Sequence, residues 1–300
     1  MIAGVETGGT KVICAAATAD APDAPVLTRR FPTTGPEETI GRIRAFLDEA
    51  AADGPLEALG VASFGPVDAA PGSPRFGWVT DTPKAGWSGT DLLGAVRPDG
   101  LPAAFVSDVT GAAIGELRYG AGRGASSVAY ATIGTGVGVG LIVDGRPLGG
   151  DGWPELGHLL VRRHPEDRYP GRCPFHGDCL EGLTAGPAVL DRWGVDASSF
   201  PDDVRGTALD VLASYIAQLA YTVMLTTGAE RMVLGGGVTQ APGLLERVRA
   251  ALPGLARGYG PAALTTAAPA DVLVPPVLEA SGLIGALALA ADLVRPGVSS

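Results

Sequence analysis

Cys173, His176 and Cys179 stand at CxxHxxC spacing within RCPFHGDCLEG, in a chain of 300 residues that has only three cysteines and three histidines. With His158 and His164, five of those six residues fall between positions 158 and 179. Thiolate and imidazole are ligands that zinc favours, so the cluster reads either as a metal site or as a chance concentration of rare residue types. Three glycine turns offer a second kind of chemistry: ETGGTK at 6–11, GTGVGVG at 134–140 and LGGGV at 234–238. Backbone N–H donors approach a phosphate closely only where side chains are absent. Each turn is therefore a candidate cradle, although glycine in a hairpin is equally a conformational requirement. The spacing GxxxxGK[ST] is absent and GTGVGVG misses GxGxxG, which sets aside P-loop and Rossmann binding as first choices. The third candidate is Asp108, which follows the apolar stretch AAFVS. It can act as a helix N-cap, or as the base that accepts a proton from a hydroxyl attacking ATP. The two roles are compatible.

These residues need elements to hold them. Residues 2–17 read as strand, glycine turn and second strand, a β-hairpin. A helical apolar period follows over 37–53, and LEALGVASFGPVD gives a strand running into a Gly-Pro loop. A strand then enters a helix at Asp108. The pattern restarts with SSVAYATIGTGVGVGLIVDG, so strand, Gly/Thr turn and strand recur, as expected of a duplicated α/β unit. This places a boundary near residue 120 and predicts lobes 1–119 and 120–300. Residues 207–227 form a long apolar helical run, RMVLGGGV a further strand, and SGLIGALALAADLV a closing helix expected to pack back on the N-terminal lobe. Segments 71–90 and 164–178 read as loops.

Composition excludes several classes. Apolar residues make up 46% and charged residues 18%, the balance of a well-buried globular protein. No charge-free apolar run of about 18 residues suggests a membrane span. The start, MIAGVETGGT, lacks the pattern of a signal peptide, which predicts a cytoplasmic protein whose thiols remain free for metal. A net charge of -10 without a basic cluster opposes nucleic-acid binding. The chain has no asparagine, and its 22 basic residues are 20 arginines with Lys11 and Lys84 alone, a bias read as that of a GC-rich coding sequence.

Taken in order, GVETGGTK, SFGPVD, TPKAGW, SDVTGAAIGE, IGTGVGVG, PELGH, CPFHGDCLEGLTAGPA and LGGGV span residues 4–238. In this the chain resembles sugar kinases of the ROK (repressor, open reading frame, kinase) family, in their bacterial fructokinase branch. The resemblance implies an actin-like ATPase domain fold, two duplicated ribonuclease-H-like lobes with a cleft between them. It also implies Mg²⁺-dependent transfer of the γ-phosphate of ATP to a hexose, most directly D-fructose to fructose 6-phosphate. It assigns Asp108 as general base and places Glu155, His158 and Glu181 around the sugar hydroxyls. Gly8, Gly9, Thr10 and Lys11, with Gly134, Thr135 and Gly136, would hold phosphates, and Gly235, Gly236 and Gly237 would lie near adenosine. His158, Cys173, His176 and Cys179 match the zinc ligands of the family, and a His2Cys2 set agrees with closed, tetrahedral structural zinc. A homodimer is the assembly the family suggests.

The sequence departs from the family pattern at Glu6, where many members have Asp, and at Ser107, where they often have Asn. Lys84 either reaches the active cleft or is an exposed loop lysine. Trp78 and Trp87 are sugar-stacking groups or loop anchors, and His164 is expected on the surface of the metal loop without a role. Within the family the alternatives are a glucose, mannose or aminosugar kinase. A different class is a non-catalytic sugar sensor or a repressor. The acidic charge, and a first strand beginning at residue 2, argue against a DNA-reading arm.

Overall fold

The computed structural model describes residues 1–52, 54–149 and 154–295. Among these residues two units are distinguished, one of 1–52, 54–123, 147–149 and 277–295, the other of 124–146 and 154–276. The C-terminal segment is thus grouped with the N-terminal one.

The first unit opens with the expected hairpin, β1 (Ile2–Thr7) and β2 (Lys11–Ala17), and continues through β3 (Leu27–Pro32), α1 (Pro36–Ala51) and β4 (Ala58–Ser63). A loop carrying the two-residue strands β5 (Trp78–Val79) and β6 (Thr90–Asp91) leads to α2 (Leu92–Val96), β7 (Ala103–Ser107) and α3 (Asp108–Tyr119). The main sheet has the order β3-β2-β1-β4-β7. Its hairpin strands are antiparallel, whereas β4 and β7 join in parallel after helical crossovers.

The second unit repeats this plan with β8 (Val128–Ile133), β9 (Val137–Val143) and β10 (Arg146–Pro147). It goes on through α4 (Leu180–Thr184), α5 (Gly186–Trp193), α6 (Asp202–Thr227), β11 (Arg231–Gly235), α7 (Leu244–Ala256), α8 (Ala262–Thr265), α9 (Pro269–Val272) and β12 (Leu273–Val274). Its sheet order, β10-β9-β8-β11-β12, is the first order renumbered. The hairpin β8–β9 is again antiparallel, and β11 and β12 are again parallel additions. The duplication read from the two glycine hairpins is therefore a duplication of the whole sheet, which is the ribonuclease-H-like arrangement.

The last helix, α10 (Ser281–Val294), lies against β1, β4 and α3 of the first unit. Strand β1 is buried on both faces, against Ile43, Phe46 and Leu47 of α1 on one side and Leu283 and Leu287 of α10 on the other. In the second unit α6 is the central core helix, with Leu212, Tyr215, Ile216, Leu219 and Val223 fully buried. Its length and hydropathy would allow a membrane crossing, but 67% of that window is buried inside the unit, which accounts for its composition.

Candidate active site

Backbone contacts assemble the Cys/His loop of the second unit before any ion is considered. His158 ends a short 3-10 turn, Leu156–His158, pressed onto β9 so closely that a Cβ on Gly157 would lie 2.1 Å from the Val137 carbonyl oxygen. Cys179 immediately precedes α4, and the Leu180 N–H donates to the Leu159 carbonyl at 2.9 Å, drawing the two ends of the loop together. Between them Cys173 and Gly177 exchange both backbone hydrogen bonds, at 3.0 and 2.9 Å. That tight loop needs the positive φ of +63° at Gly177.

The result brings four side chains together. Cys173 Sγ lies 3.6 Å from His158 Nδ1 and 3.7 Å from His176 Nδ1, and Cys179 Sγ lies 3.5 Å from His158 Nδ1. All four ligand atoms are within 4.8 Å of one another. Bonds of about 2.3 Å to sulfur and about 2.0 Å to nitrogen give a tetrahedron with S···N edges of about 3.5 Å. The donor set and its spacing fit zinc. Burial pushes the Cys179 thiol up to about 11. A cation on its sulfur would reverse this, since the thiolate is the ligand. His164 lies outside the cluster, and its backbone N–H donates to the Tyr215 hydroxyl at 3.1 Å.

A buried ionic group that sequence reasoning missed supports the loop. Tyr215 donates to Asp167 Oδ2 at 2.6 Å, and Arg192 Nη2 sits 3.1 Å from the same oxygen. The Arg192 guanidinium is stacked between the rings of Tyr169 and Trp193, 4.5 Å from each centroid. Three residues scattered over 167–215 carry no sequence signal for this; only the fold makes them neighbours.

Glu155 precedes the 3-10 turn and Glu181 lies in the first turn of α4, so both are close in sequence to members of the Cys/His cluster. Glu181 Oε2 accepts the Val137 N–H at 2.9 Å, and a Cβ on Gly136 would lie 2.9 Å from that oxygen. This glutamate therefore packs against the second glycine turn, whose Gly134 carbonyl is fixed by the Gly186 N–H at 2.7 Å.

The third turn divides. A Cβ on Gly235 would fall 2.4 Å from the Tyr130 hydroxyl oxygen, and one on Gly236, at φ +94°, 2.4 Å from the Ile133 carbonyl. These two glycines are required by packing on β8. Gly237 has open space around its Cβ direction. Beside this turn lies an apolar cavity of about 120 Å³, lined among others by Ile216, Leu234, Gly235, Thr239, Gln240 and Leu244. A flat apolar ring with a few polar contacts is the kind of ligand such a cavity takes.

In the first unit Asp108 begins α3 at the end of β7, but it does not cap the helix as the sequence suggested. The N-cap is Ser107, whose hydroxyl oxygen accepts the Thr110 N–H at 3.2 Å. A serine at a strand end already supplies the preferred capping group, which leaves Asp108 inside the first turn with Oδ1 accepting the Val109 N–H at 2.8 Å. Gly8, Gly9, Thr10 and Lys11 make the turn between β1 and β2. Glu6 is half-buried, its Oε2 accepting the Leu283 N–H at the start of α10 at 3.0 Å. Burial pushes its carboxyl above the usual range, against the opposing pull of that N–H, Lys11 and Arg30. Trp87 is fully buried and donates from Nε1 to the Thr34 carbonyl at 2.9 Å, so it is a loop anchor. Trp78 is half-buried in β5.

The chain is 37% identical over 291 residues to a fructokinase of Zymomonas mobilis, with 95% of each chain covered. It is 36% identical over 293 residues to a fructokinase of Streptococcus mutans, covering 95% of this chain and 96% of the other. The crystal structure of a ROK hexokinase from Thermus thermophilus superposes with a TM-score of 0.76 at 26% identity, covering 99% of both chains. This is the actin-like fold of two ribonuclease-H-like units. The ROK family model matches residues 2–293, and the chain belongs to the ROK family.

Proposed function

We propose that this protein phosphorylates a hexose with ATP and that its preferred substrate is D-fructose, converted to fructose 6-phosphate. The reading is supported by the relationship, over nearly the full length, to two fructokinases. The observation that carries its chemistry is Asp108, a carboxylate at the C-terminal end of a sheet strand and relieved of capping by Ser107. Asp108 accepts the proton of the sugar hydroxyl as its oxygen attacks the γ-phosphorus. The new O–P bond forms while the bond to the β-phosphate oxygen breaks, and ADP leaves with that electron pair. Glu155, His158 and Glu181 orient the sugar hydroxyls, the turns at 8–11 and 134–136 bind phosphates, and the cavity beside Gly235, Gly236 and Gly237 takes the adenine. Mg²⁺, when bound with ATP, supplies neutralisation of phosphate charge.

Zinc on His158, Cys173, His176 and Cys179 has a structural role, supported by the edge lengths of that cluster. Unpaired cysteines support a reducing, cytoplasmic setting. The resemblance to the family supports a homodimer, which sedimentation would test. The decisive assay is coupled ADP detection with a panel of hexoses. Fructose should give the highest kcat/KM, mannose the next and glucose a poor one. Glucose equal to or better than fructose would move the chain to a glucokinase, and a protein that binds sugar without phosphotransfer would be a sensor.

A further inference from the structure

The chain writes 20 of its 22 basic residues as arginine, and both lysines belong to one place. Lys11 ends the turn between β1 and β2. Lys84, from the distant loop TPKAGW, donates from Nζ to the carbonyl oxygen of Gly9 in the same turn at 2.6 Å. Lys84 is held there by a built loop: its own N–H reaches Thr82 Oγ1 at 3.4 Å, the Trp87 N–H donates to the Lys84 carbonyl at 3.2 Å, and Trp87 is fully buried.

The turn itself is organised for an anion. Its three consecutive carbonyls are all engaged: Gly8 accepts the Thr33 hydroxyl at 2.7 Å, Gly9 accepts Lys84, and Thr10 accepts the Thr33 N–H at 3.0 Å. The N–H groups of Gly9 and Thr10 make no hydrogen bond among the described residues, and both residues are exposed. Tying back the oxygens leaves a surface of N–H donors, to which a phosphate is attracted. A lysine ammonium has three donors. One is spent on Gly9, and among the described residues the other two have no protein acceptor.

We infer that Lys84 is a phosphate-contacting catalytic residue, its ammonium bound to oxygens of the phosphoryl group being transferred at the Gly8–Lys11 turn. The inference rests on the kinase reading above. In phosphoryl transfer charge spreads over the equatorial oxygens, and a fixed cation there stabilises the transition state more than the ground state. The compact ammonium reaches beside a tight turn as a point charge, which the wider planar guanidinium does not reproduce. This gives a physical reason for lysine at a position of a chain that otherwise uses arginine.

The test separates the charge from the hydrogen bond to Gly9. Lys84→Gln keeps an N–H donor and loses the charge, whereas Lys84→Arg keeps the charge in a different shape. With fructose and MgATP, Lys84→Gln should lower kcat by about 100-fold with little change in the fructose KM, and Lys84→Arg should recover to within about tenfold of wild type. Near-normal kcat in Lys84→Gln would show a structural tie only. A raised fructose KM at unchanged kcat would make Lys84 a sugar contact. Either result overturns the inference.

Reductive ¹³C-methylation adds a second readout, because only two lysines and the terminal amine are labelled and the Lys84→Arg variant identifies one signal. MgATP should move the Lys84 signal and adenosine should not. A signal unmoved by MgATP in a preparation that turns over also overturns the inference. Absence of phosphotransfer in the wild-type protein would instead remove the kinase reading on which it rests.

Discussion

Because Ser107 caps α3 through the Thr110 N–H, the carboxylate of Asp108 can be altered without removing the cap. Asp108→Asn should therefore leave the urea midpoint close to wild type while lowering turnover by about 100-fold or more, the usual worth of a general base. Ser107→Ala should show the reverse balance, losing about 1 kcal/mol of stability. A folded Asp108→Asn protein with near-normal turnover would remove the base assignment. Glu6 gives a prediction with a definite sign. Its carboxyl is held above the ordinary value by burial, so the folded chain retains a proton that the unfolded chain releases. Its contribution is complete below about pH 4.5, the ordinary carboxylate value, and is lost as pH rises towards the folded-state value. Glu6→Gln can still accept the Leu283 N–H but has no proton to lose. Its stability relative to wild type should increase with pH over that range, as read by urea midpoints. A difference independent of pH would show that Glu6 does not titrate as the burial implies.

Among the elements, α10 was expected to pack on the N-terminal lobe and does so, but its sequence does not say which residues it meets there. SGLIGALALAADLV reads as an apolar helix, but its contacts depend on glycines in three separate segments. A Cβ on Gly60 would lie 1.8 Å from the Ala286 carbonyl oxygen, and one on Gly285 would lie 1.8 Å from the Gly111 carbonyl oxygen. Backbone meets backbone at both places, so neither clash can be relieved by a rotamer change. Gly285→Ala should cost about 3 kcal/mol or more, beyond the usual penalty of overpacking, and Gly60→Ala should do the same, both measured by urea unfolding. A wild-type midpoint in Gly285→Ala would mean that α10 can shift at little cost. The hairpins, α1, α6 and the CxxHxxC cluster were legible because period, turn chemistry and rare ligands are local signals. The buried Glu116, which accepts the Leu278 N–H at 3.1 Å and the Ser281 hydroxyl at 2.7 Å, was not. Nor were the Asp167–Arg192 pair and the Lys84–Gly9 contact, since each joins residues far apart in the chain. Capping at 107 rather than 108 was missed for a different reason: Ser and Asp are both good caps, and only backbone geometry decides between adjacent residues.

For the molecule as a whole, stability is distributed over cores that do not share residues. The largest apolar cluster runs from Ala129 to Leu273 and lies within the second unit, whereas the clusters around β1 and α10 lie within the first. The metal loop adds little apolar burial of its own, with Leu160 73% and Phe175 81% exposed. On the zinc reading proposed above, its order would rest on the ion, together with the Asp167–Arg192–Tyr215 group and the short backbone exchanges described above. Chelation should consequently act locally. Amide exchange should accelerate over about 155–184, which spans the Cys/His cluster with Glu155 and Glu181, while the amides of α3 and α10 keep their protection. Loss of the ion should likewise raise the fructose KM or lower kcat more than it weakens ATP binding, because misplacing positioning groups by about 1 Å can cost about 100-fold in rate. Cys179→Ser should reproduce both effects without a chelator. Elemental analysis of the purified protein should give about one zinc per chain. Full activity in a metal-free preparation would remove the ion from the argument. Uniformly accelerated exchange in both units would show instead that the metal controls global folding.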